Sequence, residues 1–85
     1  MEKIFASSLS GKVVSNDKGN VIGKVHDILF KPETGEVTML IVQPDKSVEE
    51  KAYPRDESGM ITVPFTAINA IGEFVVVSEE KLLRG

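Results

Sequence analysis

VIGKVHDILFKPETGEVTMLIV, residues 21–42, is the stretch whose reading decides the fold. Val, Ile, Leu and Phe fill both of its ends, and β-branched and aromatic side chains suit a pleated, half-buried surface. Between the ends lies Lys31-Pro32-Glu33-Thr34-Gly35. Pro32 is preset for the second position of a type I turn, and Gly35 suits the left-handed residue that closes it. A strand Val21–Phe30 therefore turns back into a strand Glu36–Gln43, which makes a long β-hairpin.

Alternation from Val21 sets Val21, Gly23, Val25, Asp27 and Leu29 on one face and Ile22, Lys24, His26, Ile28 and Phe30 on the other. Neither face is uniformly apolar. A glycine inside a strand often marks a bulge, and one extra residue at Gly23 or Lys24 moves Ile22 onto the face of Val25 and Leu29 and bends the strand. A bent long strand is what a small barrel needs, so the sequence predicts closure. Ile28 and Phe30 then remain on the opposite face, and the strand through Val37–Val42 is apolar on both sides. Either the carboxyl end of the chain or a second copy covers this outer surface. The second copy is the preferred reading, with Ile28, Phe30 and Ile41 as candidate protein-interface residues.

Outward from the hairpin, Lys12–Val14, Met60–Val63 and Glu73–Ser78 read as further strands, each bounded by Gly, Pro, Asn or Asp. Ser15–Asn20 reads as a hairpin loop in which Gly19 takes a positive φ. The connection Pro44–Gly59 exceeds the usual 4 to 6 residues. It is either a short charged edge strand around Val48–Tyr53, the favoured reading, or a binding flap. Pro64 cannot donate to a ladder, so Phe65–Ala70 is expected to leave the sheet as a 3₁₀ turn or loose helix. Glu79–Gly85 either forms one helical turn presenting Leu82 and Leu83 or frays. The expected fold is all-β, a small barrel of five to six mainly antiparallel strands in one domain over 1–85, with its core in about 9–78.

A chain of 85 residues buries only about 60% of the surface its unfolded form exposes, so association is a reasonable source of added stability. The absence of Cys excludes disulfide staples and thiolate metal sites. With no apolar amino-terminal h-region, the chain reads as starting mature, in the cytoplasm. A bilayer span needs about 20 apolar residues in a row, far beyond runs such as Met39–Val42, so no membrane insertion is expected. The formal charge of −3 and scattered Lys and Arg weigh against nucleic acid as a partner.

Catalysis is not expected. His26 is the single histidine, so no multi-histidine metal site and no constellation around a general base is available within one chain. Asn16, Asp17 and Asn20 sit in one loop without the alternating acids of a calcium loop. Gly11, Gly19 and Gly23 do not form a phosphate-binding loop. Phe65 and Phe74 read as core. No cofactor, metal or catalytic residue is assigned, and Gly19, Gly23 and Gly35 are given turn and bulge roles.

The segments GKVV, VIGKVHDILF and PETGEVTMLIV, followed by VPFTAINAIGEFVVV, resemble the PRC-barrel family in order and spacing over Leu9–Ser78. The resemblance implies a β-barrel docking site for other proteins, and the length resembles the short stand-alone archaeal type. Some of these act as dimeric adaptors in FtsZ-based cell division, joining the ring to a SepF-type membrane anchor. The implied partners are thus division-ring or membrane-anchor proteins, with a homodimer or a heterodimer with a paralogue. The alternative implied by the family is ribosome maturation, as for the RimM barrel, through a ribosomal protein. What matches is turns, bulge and core, so no family binding residue transfers to this chain.

Overall fold

In the computed structural model, which describes residues 9–84, the long hairpin forms as the sequence predicts. β2 (Val21–Phe30) pairs antiparallel with β3 (Val37–Pro44). The turn between them is closed by the Lys31 amide donating to the Glu36 carbonyl (2.8 Å) and the Gly35 amide to the Lys31 carbonyl (2.7 Å). Gly35 sits at φ 76°, a region costly for any residue carrying a Cβ.

Four more strands complete one sheet: β1 (Val13–Asn16), β4 (Ile61–Pro64), β5 (Ile68–Ile71) and β6 (Phe74–Val77). Their spatial order is β4-β3-β2-β1-β6-β5. Every neighbouring pair is antiparallel except β1 and β6, which run parallel. The expected closure does not occur in the hydrogen-bond ladder: β4 and β5 stand at opposite ends of the order. Pro64 ends β4 and the chain passes to β5 through a 3₁₀ turn, Phe65–Ala67. A fifth strand over Ile68–Ile71 therefore replaces the second half of the irregular segment expected after Pro64. Ile68 and Ile71, half-buried at its ends, pack against the core.

The bend in β2 has two sources, neither at Gly23. Opposite β1, Val14 aligns with Gly23 and Ser15 with Val21, so Ile22 is the extra residue. Opposite β3, Val25 aligns with Val42 and Asp27 with Ile41, so His26 is the second. The first irregularity brings Ile22 and Val25, three apart, both into the core. Gly23 serves a different need. A Cβ there would overlap the Gln43 carbonyl oxygen and stand 2.8 Å from Val42 Cγ1, so only glycine permits this approach of β2 to β3. Gly19, at φ 86°, occupies the loop position expected of it.

The core takes Val14, Ile22, Val25, Leu40, Val42, Ile61, Val63, Val75 and Val77 from five strands, with Leu9, Ala67 and Leu82 at its ends. Leu82 belongs to α1 (Glu79–Arg84), whose start is held by the Leu82 amide donating to the Ser78 carbonyl (2.9 Å) and the Lys81 amide to Ser78 Oγ (3.2 Å).

The edge strand expected at Val48–Tyr53 is absent. The connection turns three times instead, the amides of Val48, Ala52 and Gly59 donating to the carbonyls of Asp45 (3.0 Å), Glu49 (3.1 Å) and Asp56 (3.0 Å). Asp45 donates its amide to the Ile22 carbonyl (2.9 Å), and Asp56 donates its amide to the Met60 carbonyl (2.8 Å). The Arg55 guanidinium ties the second and third of these turns together by donating to the carbonyls of Glu49 (2.9 Å) and Gly59 (3.2 Å). Charged residues at alternate and consecutive positions leave Val48 and Tyr53 as the apolar anchors, packed against the core, which is too few for a ladder.

Candidate docking faces

The outer side of the sheet is where chemistry remains available. On β2, β3 and β4 the register places Leu29, Met39 and Pro64 in one row and Asp27, Ile41 and Thr62 in the next. Leu29 is 46% exposed, whereas its neighbours Leu40 and Val63 on the inner side are fully buried. Met39, Ile41 and Pro64 are half-buried. Fully burying one such side chain contributes about 1.5 to 3 kcal/mol, so the patch offers several kcal/mol to a partner. Association costs on the order of 4 to 15 kcal/mol in lost freedom.

Of the sequence candidates, Ile41 lies on this outer face, while Ile28 does not. The extra residue at His26 shifts the alternation, so Ile28 aligns with the buried Leu40 and packs against the core. Phe30 follows two residues later on the same side of the strand as Ile28, beyond the core, and is 54% exposed. The structure thus separates Ile41 from Ile28 and Phe30. Leu29, Met39 and Pro64 take the places that sequence reasoning gave to other residues. A second bulge four residues beyond the first leaves no composition signal of its own.

A second apolar face covers β2, β1, β6 and β5. One row runs Lys24, Val13, Phe74, and the next runs Val21, Ser15, Val76, Ala70, with Ser15 itself buried. Phe74, expected in the core, is 53% exposed. Val75 and Val77 point inward, so Phe74 and Val76 alternate outward. Because all four residues of this strand are apolar, sequence alternation could not choose between the phases.

Other functional chemistry is sparse. Among the described residues, no cluster of three His, Asp or Glu side chains is placed to hold a metal ion. Among the described residues, no helix is long and apolar enough to cross a membrane. His26 is exposed at its bulge. Asp45 and Asp56 are held below the ordinary aspartate value, each chiefly by a hydrogen bond from the serine two residues on, Ser47 and Ser58. Both are turn carboxylates on the surface, bonded within their own loops.

This open sheet with a parallel β1/β6 pair and a bulged hairpin arm defines a small β-module. The PRC-barrel domain model matches residues 1–84. The chain is 36% identical over 84 residues to an uncharacterized protein of Methanocaldococcus jannaschii, spanning 99% of this chain and 91% of that protein. The chain belongs to the PRC-barrel family.

Proposed function

We propose that this protein is a non-catalytic adaptor that docks a protein partner on the outer face of β2, β3 and β4. The observation that carries this is the row Leu29, Met39 and Pro64 beside Ile41, apolar surface on the side of the sheet away from the core. Large exposed apolar patches on small domains mark interaction sites. The likeness to short archaeal PRC-barrel proteins supports a cytoplasmic place in FtsZ-based division, between the ring and a SepF-type anchor.

The test is binding of the purified chain to purified FtsZ and SepF-type proteins from the same host by calorimetry. Binding to at least one, lost in Ile41→Glu with the thermal midpoint kept, supports the reading. Unchanged binding by Ile41→Glu removes the face, and no binding to either protein removes the division role.

A further inference from the structure

Beyond Val25 the hairpin arm leaves the backbone of β2 unpaired on one side. The Val25 amide donates to the Lys12 carbonyl (2.9 Å) and its carbonyl accepts from the Gly11 amide (3.1 Å). Among the described residues, no strand continues that pairing beside 27–30. Along an antiparallel strand, successive residues direct their backbone groups to opposite sides. The Lys31 amide donates to the Glu36 carbonyl across the hairpin (2.8 Å), and the Leu29 carbonyl accepts from the Thr38 hydroxyl (3.2 Å), so Leu29 and Lys31 face β3. Ile28 and Phe30 therefore turn their amides and carbonyls away from β3, to the unpaired edge. The Ile28 amide agrees, since its acceptor is Oδ1 of Asp27, the preceding residue, at 2.8 Å.

A row of unpaired amides and carbonyls is complementary to another extended chain. Side chains on both faces of this edge add apolar contact, Leu29 on one and Phe30 on the other, each about half exposed. Charge selects the chain. Residues 27–36 carry Asp27, Glu33 and Glu36 against Lys31, and Asp27 makes no ion pair among the described residues. While its carboxylate holds the Ile28 amide, the edge is partly closed, as sheet edges that must not pair at random are. A Lys or Arg brought beside Asp27 draws the carboxylate to itself and releases the amide for a ladder bond. We infer that the arm takes up a basic, extended segment of a partner protein as an added strand along β2, in the line that β1 leaves, with Asp27 admitting basic chains and closing the edge to others. The inference uses the backbone edge of β2 and not the outer face of β2, β3 and β4, so it stands or falls apart from the docking proposed there.

Amide NMR titration with two capped synthetic peptides tests it, Thr-Val-Lys-Val-Lys-Val-Thr and the same peptide with Glu in place of both Lys. The basic peptide at millimolar concentration should shift the amides of Ile28, Leu29 and Phe30 most, and should bind about tenfold more tightly than the acidic one. Phe30→Pro removes an amide that faces the edge while leaving the bonds to β3, and should weaken binding about tenfold; Phe30→Val keeps that amide and should lose far less. Asp27→Ala leaves the Ile28 amide open to either peptide, so the two should bind within about twofold of each other. Ile41→Glu should bind the basic peptide no more weakly than wild type. Thermal melting confirms that each variant folds, and the Asp27→Ala comparison decides the matter if Phe30→Pro does not. Equal binding of the two peptides by wild type overturns the inference, as does an undiminished preference for the basic peptide in Asp27→Ala, unweakened binding by folded Phe30→Pro, or no shift at Ile28 to Phe30. Loss of peptide binding in Ile41→Glu also overturns it, because the peptide then lies on the outer face.

Discussion

Asn16 and Glu79, 63 residues apart in sequence, meet through Asn16 Nδ2 donating to Glu79 Oε2 at 3.3 Å. The same amide donates to the Tyr53 hydroxyl at 3.4 Å, and its oxygen accepts from the amides of Lys18 (3.0 Å) and Asn20 (2.9 Å). One side chain, only 4% exposed, thus joins the loop after β1, the long connection and the start of α1. Asp17 Oδ1 reinforces the last link by accepting from the Glu79 amide at 3.3 Å.

Removing the amide strands the two loop N–H groups on its oxygen as well as the two longer contacts. With about 0.5 to 1.5 kcal/mol per bond, Asn16→Ala should cost about 2 kcal/mol. In a domain of this size that lowers the thermal midpoint by roughly 10 °C. Glu79→Gln keeps an acceptor for Asn16 and loses only the exposed pairing with Lys18 at 3.7 Å, so it should cost under about 0.5 kcal/mol. Circular dichroism melts of the two variants check the ordering; equal losses would show that the charge, and not the amide, organises the joint.

Gly35 and Gly23 separate two reasons for a glycine. At Gly35 an added Cβ meets nothing within 4 Å, so the whole cost of Gly35→Val is the backbone conformation at positive φ, about 1 to 3 kcal/mol. Gly35→Asn should recover much of it, since Asn tolerates that region. At Gly23 the obstacle is the backbone of β3, which cannot swing aside as a side chain can. Gly23→Ala should cost about 3 kcal/mol or more, with no rescue by Asn. Urea unfolding of the three variants tests the contrast.

The hairpin was legible because its turn chemistry is local: Pro32 and Gly35 specify the reversal whatever surrounds them. The phase of β2 was only partly so. Ile22 reached the core as expected, yet the shift at His26 depends on how β3 lies against β2, a relation between residues some fifteen positions apart. It turned Leu29 outward and Ile28 inward, and with them the membership of the candidate face. Ile68–Ile71 was missed for a related reason. Its residues Ile-Asn-Ala-Ile carry weak strand preference, and the pairing with β6, at the end of the sheet, supplies the order. The charged segment after Pro44 misled in the opposite direction, since charge alternation resembles an edge strand while the Asp45 and Asp56 carboxylates were turning the chain.

At the carboxyl end, adjacent leucines do different work. Leu82 is fully buried and Leu83 is 53% exposed. Leu82→Ala should cost about 2 to 5 kcal/mol through lost burial and the cavity left behind, while Leu83→Ala should lie within about 0.5 kcal/mol of wild type. Hydrogen exchange at the amides of Lys81 and Leu82 provides the local readout. Protection lost in Leu82→Ala and kept in Leu83→Ala is the expected pattern. The same loss in both would mean that α1 is not anchored by its buried side.

The two turn carboxylates give the molecule an acid response of predictable sign. Asp56 Oδ1 accepts from the Ser58 hydroxyl (2.7 Å), the Ser58 amide (2.9 Å) and the Met60 amide (3.0 Å). Asp45 Oδ2 accepts from the hydroxyl (2.6 Å) and amide (3.1 Å) of Ser47. These bonds favour the carboxylate, the serine hydroxyls most of all, and lower both groups from the ordinary value of 3.8. The unfolded chain therefore binds protons at a higher pH than the folded one. The stability that follows is complete above the ordinary value and is lost as pH falls through the lowered folded values. Thermal midpoints should hold steady near neutrality and decline below about pH 4. Ser58→Ala removes the largest cause at Asp56, so a carboxyl-carbon NMR titration should show Asp56 moving up toward its ordinary value while Asp45 stays where it was. If Asp56 does not move, the Ser58 hydroxyl is not bonded to it in solution, and the acid response must come from other carboxylates.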